Sequence, residues 1–229
     1  MEYKLGLIPS PPDNRDYLLT SFLPPLEVSL PEEWLEWLKW QTPVKFQGGL
    51  GSCVGFGTSA HKESYDTKEY GKQIDLSEQF IYGKCKEIDG MPNEEGTYIR
   101  AAMKVLQDFG VCEEAYFPYE GKYPPNNSPK EGYLENATKY KLSTYASVGT
   151  TKEEMERALY QNGPVSVGVM VYDSFMETGS DGIVKYPSGA KQGGHAMLVV
   201  GYNKIGLICK NSWSINWGNQ GYCTIPWLV

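Results

Sequence analysis

The chain reads as an α+β protein, helical in its first part and β-rich in its last, arranged as two lobes with a shared interface. Three observations lead to that expectation. Segments 52–71, 77–81, 97–109 and 151–162 carry helical apolar spacing or helix-capping residues. They precede four short β-prone runs at 165–169, 195–202, 206–210 and 222–225. A length of 229 residues with 41% hydrophobic content is enough to bury one large core or two modest ones.

Residues 1–29 are expected to form a leader outside the regular core. Ile8-Pro9-Ser10-Pro11-Pro12 and Leu23-Pro24-Pro25 favour extended backbone and do not propagate a helix. The folded domain is then 30–229, its helical lobe mainly 50–125 and its β lobe mainly 130–229. A helix from Ser52 to Gly71 is marked by Val54, Phe56, Ala60 and Tyr65, and weakened by Gly55 and Gly57. Ser77 is placed to cap a short helix carrying Phe80 and Ile81. From Thr97 to Phe109, Ile99, Ala102, Met103 and Leu106 fall at i, i+3, i+4 and i+7, and Gly110 stops the helix. Residues 123–129 form an exposed Pro/Asn loop. Thr151 and Glu154 match a capping box, and Asn162-Gly163-Pro164 closes the helix it opens. Beyond it Val165-Ser166-Val167-Gly168-Val169 alternates as a strand does.

Charge and cysteine usage narrow the function classes. A net charge of −7 without a Lys/Arg cluster argues against nucleic acid or an anionic membrane as partner. No apolar run reaches membrane-spanning length. Met1 to Pro9 lacks the apolar core of a secretory signal, which favours a cytoplasmic or virus-associated protein. Five cysteines leave at least one unpaired in the monomer. With no Cys-x-x-Cys and only His61 and His195, no metal site is expected. Cys85, Cys112, Cys209 and Cys223 lie in apolar contexts and read as buried thiols, with a Cys85–Cys112 bridge left open. No organic cofactor is implied.

Cys53 follows Gly48-Gly49-Leu50-Gly51-Ser52 at the start of the first expected helix. A helix N-terminus lowers a thiol pKa through its free N–H groups, and the glycines allow close approach of a substrate. A buried structural cysteine fits the same local sequence equally well. His61 stands two turns further on, about 12 Å along the axis, too far to share a proton with Cys53. His195 follows Gly193-Gly194 at the start of an expected strand and is the other base available. A histidine base needs a group holding its second N–H. Asn211 can do so, with Trp213 and Trp217 as apolar cover, although Asn211-Ser212-Trp213 also reads as an ordinary strand-to-turn segment. Gln47 could join the Cys53 N–H as donor to an oxyanion, or be a plain surface glutamine.

Taken in order, Gln47-Gly48, Gly51-Ser52-Cys53, Leu76-Ser77-Glu78-Gln79, Gly163-Pro164-Val165, His195-Ala196, Val200-Gly201-Tyr202 and Asn211-Ser212-Trp213-x3-Trp217-Gly218 resemble the papain-like cysteine peptidases. That family spaces histidine and asparagine roughly 130–150 residues beyond the cysteine. Here the separations are 142 and 158 residues. The resemblance implies Cys53 as nucleophile, His195 as general acid/base, Asn211 as its orienter and Gln47 in the oxyanion hole. It implies Trp213 as cover of the Asn–His bond, Gly96 as the glycine that hydrogen-bonds substrate backbone, and Gly168 and Gly194 as residues lining the substrate cleft. The fold implied is a helical lobe facing an antiparallel β-barrel-like lobe across that cleft. The activity implied is a thiol endopeptidase acting on peptides or proteins. Acyl transfer by the same residues, or an inactive peptide-binding module, are the alternatives.

The chain departs from the family pattern in instructive places. Leu50 stands where a disulfide cysteine is usual, and Val54 where an aromatic follows the nucleophile. Gly168 and Gly194 imply a wide pocket for the second residue upstream of the cut, and the chain stops at Val229, before the segment that closes the base of that pocket in many relatives. In place of a long helical propeptide there is a short leader, like those of prokaryotic and viral members. Its stiff extended segment is expected either to lie in the cleft as a zymogen-type self-inhibitor or to pack outside it.

Overall fold

In the computed structural model, which describes residues 3–228, helix α1 spans Cys53–Tyr70. Met1, Glu2 and Val229, the outermost residues of the expected leader and domain, lie outside the described residues. Ser52 is the N-cap residue of α1, and Gly71 ends it in the left-handed region at φ 66°, its N–H returning to Thr67 O. Gly55 and Gly57 are disfavoured in a helix by about 1 kcal/mol each. Packing explains the first, since a Cβ at Gly55 would stand 3.3 Å from Glu78 O; one at Gly57 would meet the Met197 backbone at an ordinary 3.6 Å. Gly55 lets α1 approach the start of the next helix closely.

Helix α2 (Glu78–Ile88) starts under Ser77, whose Oγ accepts the Phe80 N–H at 3.0 Å, and runs longer than the short helix expected. Helix α3 (Ile99–Asp108) begins two residues later than its apolar spacing suggests. Thr97 is drawn into extended pairing, its N–H donating to Gly6 O and its carbonyl accepting from Ile8 N–H. Short α4 (Tyr133–Ala137) precedes α5 (Lys152–Gln161), which opens on the reciprocal Thr151/Glu154 capping box.

Four strands, β1 (Val165–Tyr172), β2 (Lys191–Tyr202), β3 (Gly206–Lys210) and β4 (Tyr222–Pro226), form one antiparallel sheet in sequential order. A short helix, α6 (Asp173–Met176), lies between the first two. β2 begins at Lys191, so His195 sits inside the strand opposite Val169 and not at its start. Gly193 and Gly194 carry no β preference, and the pattern therefore concealed the first turn of pairing.

One core gathers Phe80, Ile81, Val105 and Leu106 from α2 and α3 around Cys53 and Val54 of α1. A second gathers Leu159, Met197, Val199, Tyr202, Trp213 and Trp217 between α5 and the sheet. Ala196 of β2 belongs to the first core, so the two halves meet at Cys53. The leader does not stand wholly apart: Leu7 packs on the first core, and Tyr3, Leu5 and Leu19 on the second. All five cysteines are free thiols, which removes the Cys85–Cys112 bridge. Among the described residues no helix is long and apolar enough to cross a membrane.

Candidate active site

The turn before α1 delivers Cys53 as the first helical residue, its Sγ inaccessible to solvent and accepting the Ala196 N–H at 3.4 Å. Burial pushes the thiol up to about 11, against the N–H groups of Ala196, Gly6, Val54 and Cys53, which pull it down. On the facing strand, His195 Nε2 lies 2.7 Å from Asn211 Oδ1. That oxygen also accepts the Ser212 N–H at 2.7 Å, which orients the carboxamide. An amide oxygen only accepts, so Nε2 carries the proton and Nδ1 is the basic nitrogen of the neutral ring. Nδ1 is buried without a hydrogen-bond partner among the described residues. Burial lowers His195 to about 4, partly offset by the Asn211 bond. Trp213 stacks on the imidazole at 4.4 Å and 29°, and Trp217 stands edge-on to Trp213 at 5.2 Å.

Gln47 is held on both sides of its carboxamide. Nε2 donates to Leu50 O at 3.0 Å and to Lys4 O at 3.1 Å, while Oε1 accepts the Ser212 Oγ–H at 2.7 Å. His61, on α1, instead bonds Ser166 Oγ through Nδ1 at 2.8 Å.

Tyr3 to Ile8 thread this site. The Tyr3 ring stacks on Trp213 at 4.7 Å and 14°, and the Lys4 carbonyl meets the Gln47 amide. Gly6 fits so tightly that a Cβ there would come within 1.9 Å of Gly51 O. Leu7 donates its N–H to Gly194 O at 3.0 Å. A Cβ on Gly168 would lie 2.3 Å from Leu7 Cδ2, and one on Gly194 2.4 Å from Leu7 O. Both glycines thus make the room that Leu7 fills.

Gly96 is near the thread but does not bond it. Its N–H donates to Tyr82 Oη at 3.1 Å and its carbonyl accepts from Lys86 Nζ at 2.9 Å. The backbone groups turned to the leader belong to Thr97. Lys86 also reaches Asp89 Oδ2 at 2.8 Å, with the two side chains 1% and 0% exposed. Lys86→Met strips that carboxylate of its counter-charge and should cost about 3–5 kcal/mol, read as a lower midpoint in denaturant unfolding. Nothing in the local sequence marks Thr97 or Lys86 as part of the site. Ser212 alone had a signal, its place inside the Asn-Ser-Trp motif.

A family model described as papain family cysteine protease matches residues 31–226. The chain belongs to the papain family. Its helices and antiparallel sheet follow the papain-like fold of xylellain, a cysteine protease from Xylella fastidiosa. The TM-score is 0.84 at 26% identity, over 100% of this papain-family chain and 92% of that one. Chymomexicain of Jacaratia mexicana is 33% identical over 185 residues, covering 80% of this chain and 82% of that protein. An uncharacterized peptidase C1-like protein of Acanthamoeba polyphaga mimivirus is 32% identical over 197 residues, 79% of this chain and 63% of the viral protein. The papain-family match thus spans 63% of that viral relative's length, and 60% of Peptidase 1 of Euroglyphus maynei.

Proposed function

We propose that this papain-family chain is a thiol endopeptidase working through a Cys53 acyl-enzyme, restrained by its own N-terminal segment. The observation that carries the reading is the 2.7 Å His195–Asn211 bond under Trp213, which leaves Nδ1 as a buried base on the strand whose Ala196 contacts Cys53. His195 Nδ1 takes the thiol proton, and Sγ attacks the scissile carbonyl carbon. The carbonyl oxygen becomes an oxyanion, receiving the Cys53 N–H and the Gln47 Nε2–H that otherwise points at Lys4 O. Collapse breaks the C–N bond, and His195 returns its proton to the leaving amine. Water, deprotonated by His195, then attacks the thioester, releasing the acid and restoring the thiol.

In this reading residues 1–29 form the leader and 30–229 the peptidase domain, with helical and β halves mainly at 50–125 and 130–229. The substrate is an extended peptide or protein segment pairing with Thr97, beside Gly96, and placing an apolar side chain over Gly168 and Gly194. Trp213 lies beyond the cut. Occupation of these positions by Tyr3 to Ile8 supports self-inhibition.

The test is peptide cleavage with product masses, in the presence and absence of competing amines. Carboxylate products, with a thiol-directed epoxide adduct confined to Cys53, are expected. Amine adducts as main products would establish acyl transfer instead, and an adduct on another cysteine would remove Cys53 as nucleophile.

A further inference from the structure

We infer that Tyr119 is a positioning residue for the oxyanion site, its hydroxyl tying the Gln47 backbone to Ser52 and so setting the separation between the Gln47 amide and the Cys53 N–H. This rests on the reading of those two groups as the oxyanion donors.

Tyr119 lies far from both in sequence, on the segment between α3 and α4, yet its Oη is 2.8 Å from Gln47 O and 2.6 Å from Ser52 Oγ. A carbonyl oxygen has no proton, so Tyr119 donates to Gln47, and Ser52 Oγ–H must donate to Tyr119. The chain from Ser52 through the phenol to Gln47 therefore has one direction, with each hydroxyl proton used. Burial raises the Tyr119 pKa, and Oη keeps its proton over the working range of a peptidase.

The phenol is anchored from outside the loop it braces. Its ring stands edge-on to Phe56 of α1 at 4.8 Å. The Tyr119 N–H donates to Glu114 Oε1 at 2.7 Å, and the next N–H, of Glu120, to Gln79 Oε1 of α2 at 3.1 Å. The loop is closed on itself by the Gln47 Nε2–H and the Ser52 N–H, both on Leu50 O, but its tip is unpacked. Gly48 sits at φ 66°, and a Cβ on either Gly48 or Gly49 would meet nothing within 4 Å. Gln47 is fixed to the β half by its N–H on Ser212 O at 3.0 Å and to the helical half by its carbonyl on Tyr119. Without the phenol, the Gln47 backbone loses its tie to the helical half, and the separation of its amide from the Cys53 N–H rests on the Leu50 O bond across the unpacked Gly48-Gly49 tip.

The test uses the full chain, with active sites counted by epoxide titration. A peptide aldehyde, whose hemithioacetal oxygen occupies the oxyanion site, measures that site separately from substrate binding. Tyr119→Phe should lower kcat and weaken the aldehyde about tenfold each, since sub-ångström misplacement costs a fraction of the roughly 100-fold that 1 Å does. KM and the rate of iodoacetamide alkylation, which makes no oxyanion, should stay within about twofold. Gln47→Ala should lower kcat about 100- to 1,000-fold, and adding Tyr119→Phe to it should change little more. Wild-type kcat and aldehyde affinity in Tyr119→Phe beside an impaired Gln47→Ala would overturn the positioning role alone. An unimpaired Gln47→Ala would overturn the oxyanion reading and this inference with it. Ser52→Ala, which removes the other end of the relay, decides by the same readouts should Tyr119→Phe not fold.

Discussion

Cys53→Ala should lower peptide turnover by on the order of 10⁵-fold or more, as loss of a nucleophile does elsewhere, and abolish labelling by a thiol-directed epoxide. No other thiol can stand in. Cys53 alone accepts the N–H of Ala196, next to His195, while Cys85, Cys112, Cys209 and Cys223 are buried elsewhere in the two cores. Burial raises Cys85 and Cys112, and Cys223 is raised first by its hydrogen bond to Cys209 across the β3–β4 pair. The change is also structurally mild. Alanine is the best helix former, it stands at the first position of α1, and only one sulfur is removed from a site closed by Ala196. An unchanged circular dichroism spectrum with turnover lost would locate the effect in the chemistry. A variant retaining more than about 1% of turnover would end the acyl-enzyme reading.

Leu7→Asp should raise kcat/KM of the full chain about 30- to 100-fold, because losing the burial of one leucine is worth roughly 2 kcal/mol and a charge in its place adds to that. Leu7 fills the space over Gly168 and Gly194, whereas the latch that holds the outer leader, Arg100 on Asp16 and Pro11 O, is untouched. The pH profile should move as well. Under the leader, burial holds Cys53 at about 11 and His195 at about 4, so near neutrality both are uncharged. Rehydration lowers the first and raises the second, towards the thiolate–imidazolium pair.

The signs set the window. A raised thiol pKa favours the closed state below its open value and loses that advantage as pH climbs towards 11. A depressed histidine pKa favours the closed state above the ordinary 6.5, an advantage lost as pH falls from there towards 4. Mild acid should therefore open the wild-type chain. Alkylation rates of wild type and Leu7→Asp, followed from pH 4 to 9, check both points. Superimposable profiles and equal kinetics would remove self-inhibition.

The elements whose signals are local were readable from the chain. Ser77, the Thr151/Glu154 box, Gly71 and Gly110 mark helix ends through bonds that form within a few residues, and Val165 to Val169 alternates because the three valines pack on the second core. The ordered cysteine, histidine and asparagine motifs likewise pointed to the family, since each needs only its own neighbours to be recognised. Other features belong to pairs far apart in sequence. Thr97 leaves its helix because Gly6 and Ile8 offer it strand bonds, and β2 reaches back to Lys191 because Gly193 and Gly194 pair with β1 despite having no side chains to announce it. The Ser212–Gln47 bond, the Tyr119 relay and the leader's bonds to Gly194 and Gln47 join segments tens to well over a hundred residues apart. Local propensity carries no information about which distant carbonyl a hydroxyl will meet. Only packing of the two halves around Cys53 decided that.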